Sequence, residues 1–532
     1  MIKNDIFNLI KKTLEGENVS TEKLSVELSD HADFSTSIAL KLGKLGNYQN
    51  PIEIANYLVA KMEKSEVVKK AEVAGSGFIN FEINPEYATK KLRRIVEQGS
   101  GFGANQVGKG KKTQVEFISA NPTGPLTLGN GRGAFTGDTL SKVLKMSGFD
   151  IEREYYLNDR GNQVEILGKS ILNQVLLEKG EKGLSEDEFY KGDYIKDLAK
   201  DFSKVTNPRE ALATITSDAL KKLISQTKNL VKAKLKVDFD VWFSENSMYQ
   251  DNLQIEVLKL LGEKKLTFEK DGSIWFETTK FGDDKDRVLV KADGEYTYFL
   301  SDIIHKGYLA APKFDRLVLL LGADHHGYQA RLQAAMEALD QKGKLSIIIF
   351  QLVRLIEKGK EVRMSKRAGT YVTLEELIDE VGLDATRFFF NMYSPNTHID
   401  FNLDLAKEKS NKNPVYYVQY AYARVCSILA KAPKVEIEAD LSLLIHPEEL
   451  VLTKKLLQFD DLVADIAKNY SVHQLTFYAI AVAEAFHSFY EKHKVISDDE
   501  ALTAARIELI ASAKITLCNT LNLLGVSAPE KM

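Results

Sequence analysis

The sequence predicts an α/β protein: a core built on a parallel sheet and carrying an insertion, preceded by a small α+β domain and followed by an all-α bundle. Three observations predict it. An apolar run, Gln114-Val115-Glu116-Phe117-Ile118-Ser119, enters a Pro/Gly-rich loop, a helical pattern follows over 132–147, and a second strand-like run occupies 151–157. That order is a βαβ unit, which pairs its strands in parallel. Arg316–Gly322 and Leu345–Val353 are apolar on both faces, the pattern of strands covered by helices on either side. Beyond residue 405 the strand pattern vanishes, and Pro414–Ala430, Pro447–Ala467, Val472–Lys492 and Asp498–Leu524 all carry helical apolar spacing.

Taken in order, residues 1–108 read as helices followed by short strands. Ile2, Ile6, Phe7 and Ile10 share one helical face and lack the unbroken apolar core of a signal peptide. Gly77–Ile83 is the last strand, before Asn84-Pro85, and Gly99–Lys112, with five glycines and several lysines, has a linker's composition. The core domain spans 109–404, with an insertion at 165–285 that is charged and helical except for a hairpin over Leu266–Glu277, turned by Lys270-Asp271-Gly272. Residues 405–532 form the helical bundle.

At 532 residues the chain exceeds a single core and divides at roughly 100–200 residues per domain. With 44% hydrophobic and 27% charged residues it is an ordinary globular chain, and its net charge of −4 requires any nucleic-acid partner to meet a local basic surface. Cys426 and Cys518 form no C-x-x-C pair, which points to buried thiols in a reducing, cytoplasmic setting. No window reaches the ~18 consecutive apolar residues of a membrane span, so no membrane partner is expected.

The loop after residue 119 carries the chemistry. Gly129, Gly131 and Gly133 let backbone approach a phosphate, and the following helix aims unpaired N–H groups and its positive dipole end at the anion. Two readings stay open on the residues alone. Gly129-x-Gly131-x-x-Ala134, with Asp150 and Glu152 about 20 residues on, matches the looser dinucleotide fingerprint of an NAD-dependent oxidoreductase, although Asn121–Leu128 separates the strand from its first glycine. The other reading pairs this loop with a basic one, Glu361–Thr370, where Arg363, Lys366 and Arg367 flank Ser365 and are suited to neutralising a polyphosphate.

The two loops resemble the HIGH and KMSKS signatures of class I aminoacyl-tRNA synthetases, and the surrounding text resembles arginyl-tRNA synthetases. Phe117–Leu126, Leu157–Gln163, Gly322–Gly327, Asn413–Ala421 and Leu523–Met532 carry the resemblance over essentially the whole chain. It implies a Rossmann-like catalytic domain, an N-terminal domain that contacts tRNA through residues such as Lys41 and Lys44, and an anticodon-binding bundle offering Tyr416, Tyr417, Tyr420, Tyr422 and Arg424. The expected partners are free arginine and its tRNA, with ATP and Mg²⁺, for a monomer that joins arginine to the tRNA's 3′-terminal adenosine. A catalytically impaired tRNA-binding homologue remains the alternative.

The first signature spans Ala120-Asn121-Pro122-Thr123-Gly124-Pro125-Leu126-Thr127-Leu128-Gly129-Asn130, with Thr127 and Asn130 where the family has histidines. Both replacements can hydrogen-bond a phosphate without being protonated. The second signature reads Arg363-Met364-Ser365-Lys366-Arg367, its first lysine replaced by arginine. The resemblance implies that Lys366, Arg363, Thr127 and Asn130 act in catalysis, and that Pro125, Leu128, Gly129, Gly131, Gly133, Met364 and Ser365 line the nucleotide. It implies arginine contacts at Glu116, Asn121, Tyr298, Asp302, Asp324 and His325, with Tyr298 and Asp302 sharing a face if Thr297–Tyr308 is helical. The adjacent histidines of Asp324-His325-His326 lack the spacing of a zinc pair, so no protein-held metal is expected.

Overall fold

The computed structural model describes residues 1–17, 19–29, 31–185, 189–323, 327–362, 372–433 and 437–532. It forms two compact units, Met1–Val107 together with Lys409–Met532, and Gly108–Glu408.

The first unit joins the two ends of the chain. Strands β1 (Glu27–Leu28), β2 (Phe34–Thr36), β3 (Val68–Ala74) and β4 (Phe78–Ile83) make an antiparallel sheet in the order β1-β2-β4-β3. Alternation sends Ile79, Phe81 and Ile83 of β4 inward, and the helix Ile2–Thr13 buries Ile2, Ile6 and Ile10 while Phe7 stays half-buried. Asn84 caps the helix Pro85–Gln98 by accepting from the Glu86 N–H, and Pro85 occupies the first turn, where its missing donor is harmless. The bundle holds the helices Pro414–Lys431, Pro447–Leu457, Phe459–Asn469, Gln474–Lys492 and Glu500–Leu524; the helix Pro85–Gln98 packs on Pro447–Leu457 and Glu500–Leu524, Arg94 pairing with Asp460 and Arg93 with Glu438. The expected helix over 447–467 is broken at Gln458. Residues 99–102 are built into this unit and do not behave as a free linker: Phe102 is buried against Phe459, and the Asn519 amide donates to the carbonyls of Gly99 and Phe102 at 3.0 and 3.1 Å.

The second unit contains β5 (Lys112–Glu116), β6 (Asp150–Leu157), β7 (Val241–Ser244), β8 (Thr267–Lys270), β9 (Ser273–Phe276), β10 (Arg287–Val290), β11 (Arg316–Gly322), β12 (Leu345–Phe350), β13 (Val353–Glu357), β14 (Lys360–Glu361) and β15 (Ile399–Asn402). A five-stranded all-parallel sheet runs β12-β11-β5-β6-β7, so the chain winds one way from β5 through β6 and β7 and the other way through β11 and β12. The crevice beyond the C-terminal ends of β5 and β11 is therefore the switch point where such sheets bind ligands. The predicted hairpin exists as β8–β9 and gains β10 as a third antiparallel strand. The stretch 165–285 differs from a single insertion, because it holds β7, which pairs in parallel with β6. Its helices Asn162–Glu178, Asp193–Lys200 and Leu212–Ala233 close a core of their own around Leu167, Ile171, Leu198 and Ile215.

Two features aim the switch point. The helix Leu128–Met146 begins four residues before the predicted 132, so its N-terminus lies within the first signature. Fully buried Arg387 anchors it by pairing with Asp138 at 2.7 Å and donating to the carbonyls of Leu235 and Lys236. The expected Thr297–Tyr308 helix is an α-turn over Tyr298–Asp302 that widens into a π-helix over Ile303–Ala310, a rare form associated with functional sites.

Candidate active site

At the nucleotide end, the chain leaves β5 through Ile118 and Ser119, both in left-handed conformation (φ 66° and 38°), which is unusual for a β-branched residue. Tyr155 and Tyr156 of β6 hold this turn: the Tyr155 hydroxyl donates to the Ala120 carbonyl at 3.1 Å, and the Tyr156 N–H donates to Ser119 Oγ at 3.1 Å. The loop then runs outward, burying Pro122, Thr123 and Leu126 and leaving Gly124 and Pro125 half-buried. The Tyr194 hydroxyl fastens it by donating to the Thr123 carbonyl at 3.1 Å.

Thr127 caps the helix. Its N–H donates to Asn130 Oδ1 at 2.8 Å and its hydroxyl to the same oxygen at 3.0 Å. The two residues in the histidine positions thus differ: Thr127 donates its hydroxyl proton to Asn130 Oδ1, so the Asn130 amide N–H₂ is the donor expected to meet a phosphate. The glycines divide as well. Gly129 is exposed, with nothing closer than 3.9 Å to an added Cβ, and Leu128 beside it is buried. Gly131 and Gly133, the other two expected beside the nucleotide, differ from Gly129. Both are buried, and a Cβ on Gly131 would lie 2.7 Å from Leu374 Cδ1.

Arg363, Met364, Ser365 and Lys366 of the second signature lie outside the described residues, as do Asp324 and His325 after β11. The flank of the second signature is described, and it meets the first signature directly. Thr373 forms an antiparallel bridge with Thr127, and the Leu374 N–H donates to the Leu126 carbonyl at 2.9 Å. Thr373 in turn caps the helix Leu374–Val381, accepting from the Glu376 N–H at 3.1 Å. Arg132, one turn into the signature helix and buried so that its pKa falls to about 10, donates to the carbonyls of Gln351 and Ser394 at 2.6 and 2.7 Å. Segments some 240 residues apart in sequence are stitched together at the start of one helix.

The amino-acid end is built from side chains. Asp302 is half-buried and accepts from the Tyr328 hydroxyl, while Tyr298 is 53% exposed. Between them Ser301 donates to Glu245 Oε1 at 2.8 Å and contacts the Tyr249 hydroxyl at 2.7 Å. Glu245 is buried, and its Oε2 has no hydrogen-bond partner among the described residues. Burial, with the neighbouring charge of Asp302 adding to it, pushes its carboxyl up to about 7 despite the Ser301 hydrogen bond and the positive Arg160. Asn121 is exposed and accepts from the Asn158 amide at 2.5 Å.

Glu245 went unrecognised in the sequence because β7 did. A carboxylate just past the C-terminal end of a parallel strand is a ligand-site signal, and Val241–Ser244 is only four residues long in a charged stretch. Glu116 requires the opposite correction. It was expected at the guanidinium, but its buried carboxylate pairs with Lys306 of the π-helix, beside the pair His305–Glu154 at 3.0 Å. Glu116, Glu154 and His305 bring ligand atoms within 4.8 Å of one another, and Lys306, whose charged form burial disfavours, packs its Nζ against Glu116 and 3.7 Å from Glu154 Oε1.

Family comparisons agree along the length of the chain. The model for the arginyl tRNA synthetase N terminal domain matches residues 1–83, that for the catalytic domain of class I (R) tRNA synthetases matches 91–392, and that for the DALR anticodon binding domain matches 418–532. The arginine–tRNA ligase of Bacillus subtilis (strain 168) is 44% identical over 516 residues, covering 94% of this chain and 92% of that protein. The chain belongs to the arginyl-tRNA synthetase family. A Listeria monocytogenes (serovar 1/2a) arginine–tRNA ligase is likewise 44% identical over 94% of this chain and 92% of its own length. The Thermus thermophilus arginyl-tRNA synthetase shares the fold, with a TM-score of 0.80 at 22% identity and full coverage of both chains.

In this synthetase the dinucleotide reading loses its footing. Asp150 and Glu152 open β6 at the edge of the sheet opposite the signature helix's N-terminus, where they cannot reach a ribose held there. In the other unit, Tyr416 and Tyr420 stack with ring planes 10° apart beside a depression lined by Lys409, Ser410, Asn411 and Lys412. Arg424 lies over Tyr420, and Tyr417 packs on His487, whereas Tyr422 is core. Among the described residues no helix is long and apolar enough to cross a membrane.

Proposed function

We propose that this member of the arginine–tRNA ligases activates arginine at the switch point of the second unit, with Glu245 and Asp302 receiving the substrate guanidinium. The arginine carboxylate attacks the α-phosphorus of ATP, pyrophosphate leaves, and a ribose hydroxyl of the tRNA's terminal adenosine then takes the arginyl group from the adenylate. The chain supplies position and charge, with no side-chain nucleophile. Asn121, held by Asn158, faces the amino and carboxylate end, and Tyr298 borders the side chain. Gly129 and the Asn130 amide meet the phosphates at the helix N-terminus, and Lys366 with Arg363 neutralises the departing pyrophosphate. Mg²⁺, a hard ion that keeps phosphate and water ligands, would be carried by ATP itself.

The observation that carries this reading is the buried Glu245 carboxylate, one oxygen without a hydrogen-bond partner among the described residues, beside Asp302. A pair of carboxylates in a recess suits a planar cation with several donors. The tyrosine face of the helical unit fits stacking on unpaired anticodon bases, and we infer a cytoplasmic monomer. The reading is tested by pyrophosphate exchange with ATP, tRNA and each amino acid in turn. Exchange with arginine alone is expected; no exchange with any amino acid would mark a tRNA-binding homologue without turnover.

A further inference from the structure

Four residues after β6 reach several of the residues proposed for the arginine recess. Asn158 donates to Asn121 at 2.5 Å. Asp159 clamps both neighbours of Glu245, accepting from the Ser244 hydroxyl at 2.5 Å and the Asn246 N–H at 2.9 Å. Arg160 lays its guanidinium 3.3 Å from the centroid of the Tyr249 ring. Gly161, at φ 83°, turns the chain away beside the Tyr298 hydroxyl.

We propose that Arg160 is a positioning residue for arginine selection, a fixed positive charge stacked on Tyr249 that holds Glu245 as a carboxylate for the substrate guanidinium. The inference rests on the arginine reading above. Stacking matters because it anchors the cation without consuming the acceptor. Glu245 Oε1 takes the Ser301 hydroxyl and Oε2 has no hydrogen-bond partner among the described residues, so Arg160 acts on Glu245 through its field and leaves an oxygen for the ligand. Glu245 and Asp302 are two acidic groups in one recess, each with a protein cation on a neighbouring ring: Arg160 on Tyr249 beside Glu245, and Arg331 on Tyr328, whose hydroxyl donates to Asp302.

The groups acting on Glu245 come from several elements: Asp159 and Arg160 after β6, Tyr156 on β6, Tyr298 and Asp302 on the 298–302 turn, and Tyr328 on the helix Tyr328–Ala338. Arg160 is the cation among them. With burial pushing Glu245 up to about 7, the presence of that cation decides whether the carboxylate is available at neutral pH.

The test is the pH dependence, from about pH 6 to about pH 9, of kcat/KM for arginine in ATP–pyrophosphate exchange with tRNA present, which reports groups of the free enzyme. The wild type should lose arginine efficiency on the acid side with a midpoint of about 7. Arg160→Met and Arg160→Gln should both move that midpoint up by about one unit, which is about a fivefold loss at pH 7, with the KM for ATP changed less than about twofold. Arg160→Lys, which keeps the charge, should hold the midpoint near the wild type. Glu245→Gln should abolish the acid limb. The glutamine variant keeps a flat group for Tyr249, so normal behaviour there would reduce Arg160 to a packing role and overturn the proposal. An unmoved midpoint in Arg160→Met, or an acid limb surviving in Glu245→Gln, would overturn it equally. Failure of the wild type to use arginine would instead remove the underlying arginine reading.

Discussion

The two ends of the proposed adenylate site are built from different materials. The nucleotide end is backbone: a strained turn at Ile118–Ser119, a helix N-terminus at Leu128 and a cap in which Thr127 and Asn130 bond each other. The amino-acid end is side chains from three separate segments, Asn158–Gly161, Glu245–Tyr249 and Tyr298–Asp302, converging on buried charge. Backbone N–H groups do not titrate, so a phosphate held at the first end would not depend on the two signature histidines that this chain lacks. The second depends on protonation and on the exact set of charges around Glu245, so small changes there alter what binds.

If the ends are separable, Asp302→Ala should give the largest effect and only on one side. Loss of a charge-assisted contact inside a recess costs about 2–5 kcal/mol, so the KM for arginine should rise about thirtyfold or more while that for ATP stays within about twofold. Lys366→Ala should do the reverse, slowing adenylate formation in single turnover about a hundredfold with arginine binding near normal. Gly131→Ala should affect both ends through the fold. The 2.7 Å approach to Leu374 Cδ1 must be relieved, and thermal denaturation should show a loss of about 1–3 kcal/mol, whereas Gly129→Ala should leave stability within about 0.5 kcal/mol. Asn130→Ala, removing both the cap acceptor and the phosphate donor, should raise the KM for ATP about tenfold and cost about 1 kcal/mol of stability.

The smallest effect sharpens the comparison through pH. Folding raises the Glu245 pKa from 4.5 to about 7, so between those values the free folded enzyme holds a proton that the unfolded chain has released. Its stability from this group therefore falls as pH rises through that window. Bound arginine favours the carboxylate and offsets the loss. The shift in Tm produced by saturating arginine should grow from pH 6 to about pH 8, and the shift produced by ATP should not.

Much of the scaffold was legible because its signals are local. The two-sided apolar run Arg316–Gly322 is β11 to the residue, and Lys270-Asp271-Gly272 turns β8 into β9. What escaped depends on partners distant in sequence. Nothing near Gly131 announces Leu374, so a packing glycine and a ligand-facing glycine look alike in a glycine-rich loop. Glu116 sits at a strand end that alternation alone would leave open, and only the π-helix, which turns Lys306 inward, commits it to an internal pair. Glu245 was hidden by a four-residue edge strand whose pairing with β6 is set by the sheet and not by its own pattern.

In the proposed complex one adenylate spans both ends, its phosphate at the helix start and its guanidinium between two carboxylates. A crystal structure with a non-hydrolysable arginyl-adenylate analogue tests it most directly. The guanidinium is expected against Glu245 and Asp302, with the phosphate mimic at Gly129 and Asn130. A guanidinium bound away from Glu245, or a phosphate mimic away from the first turn of Leu128–Met146, would contradict it.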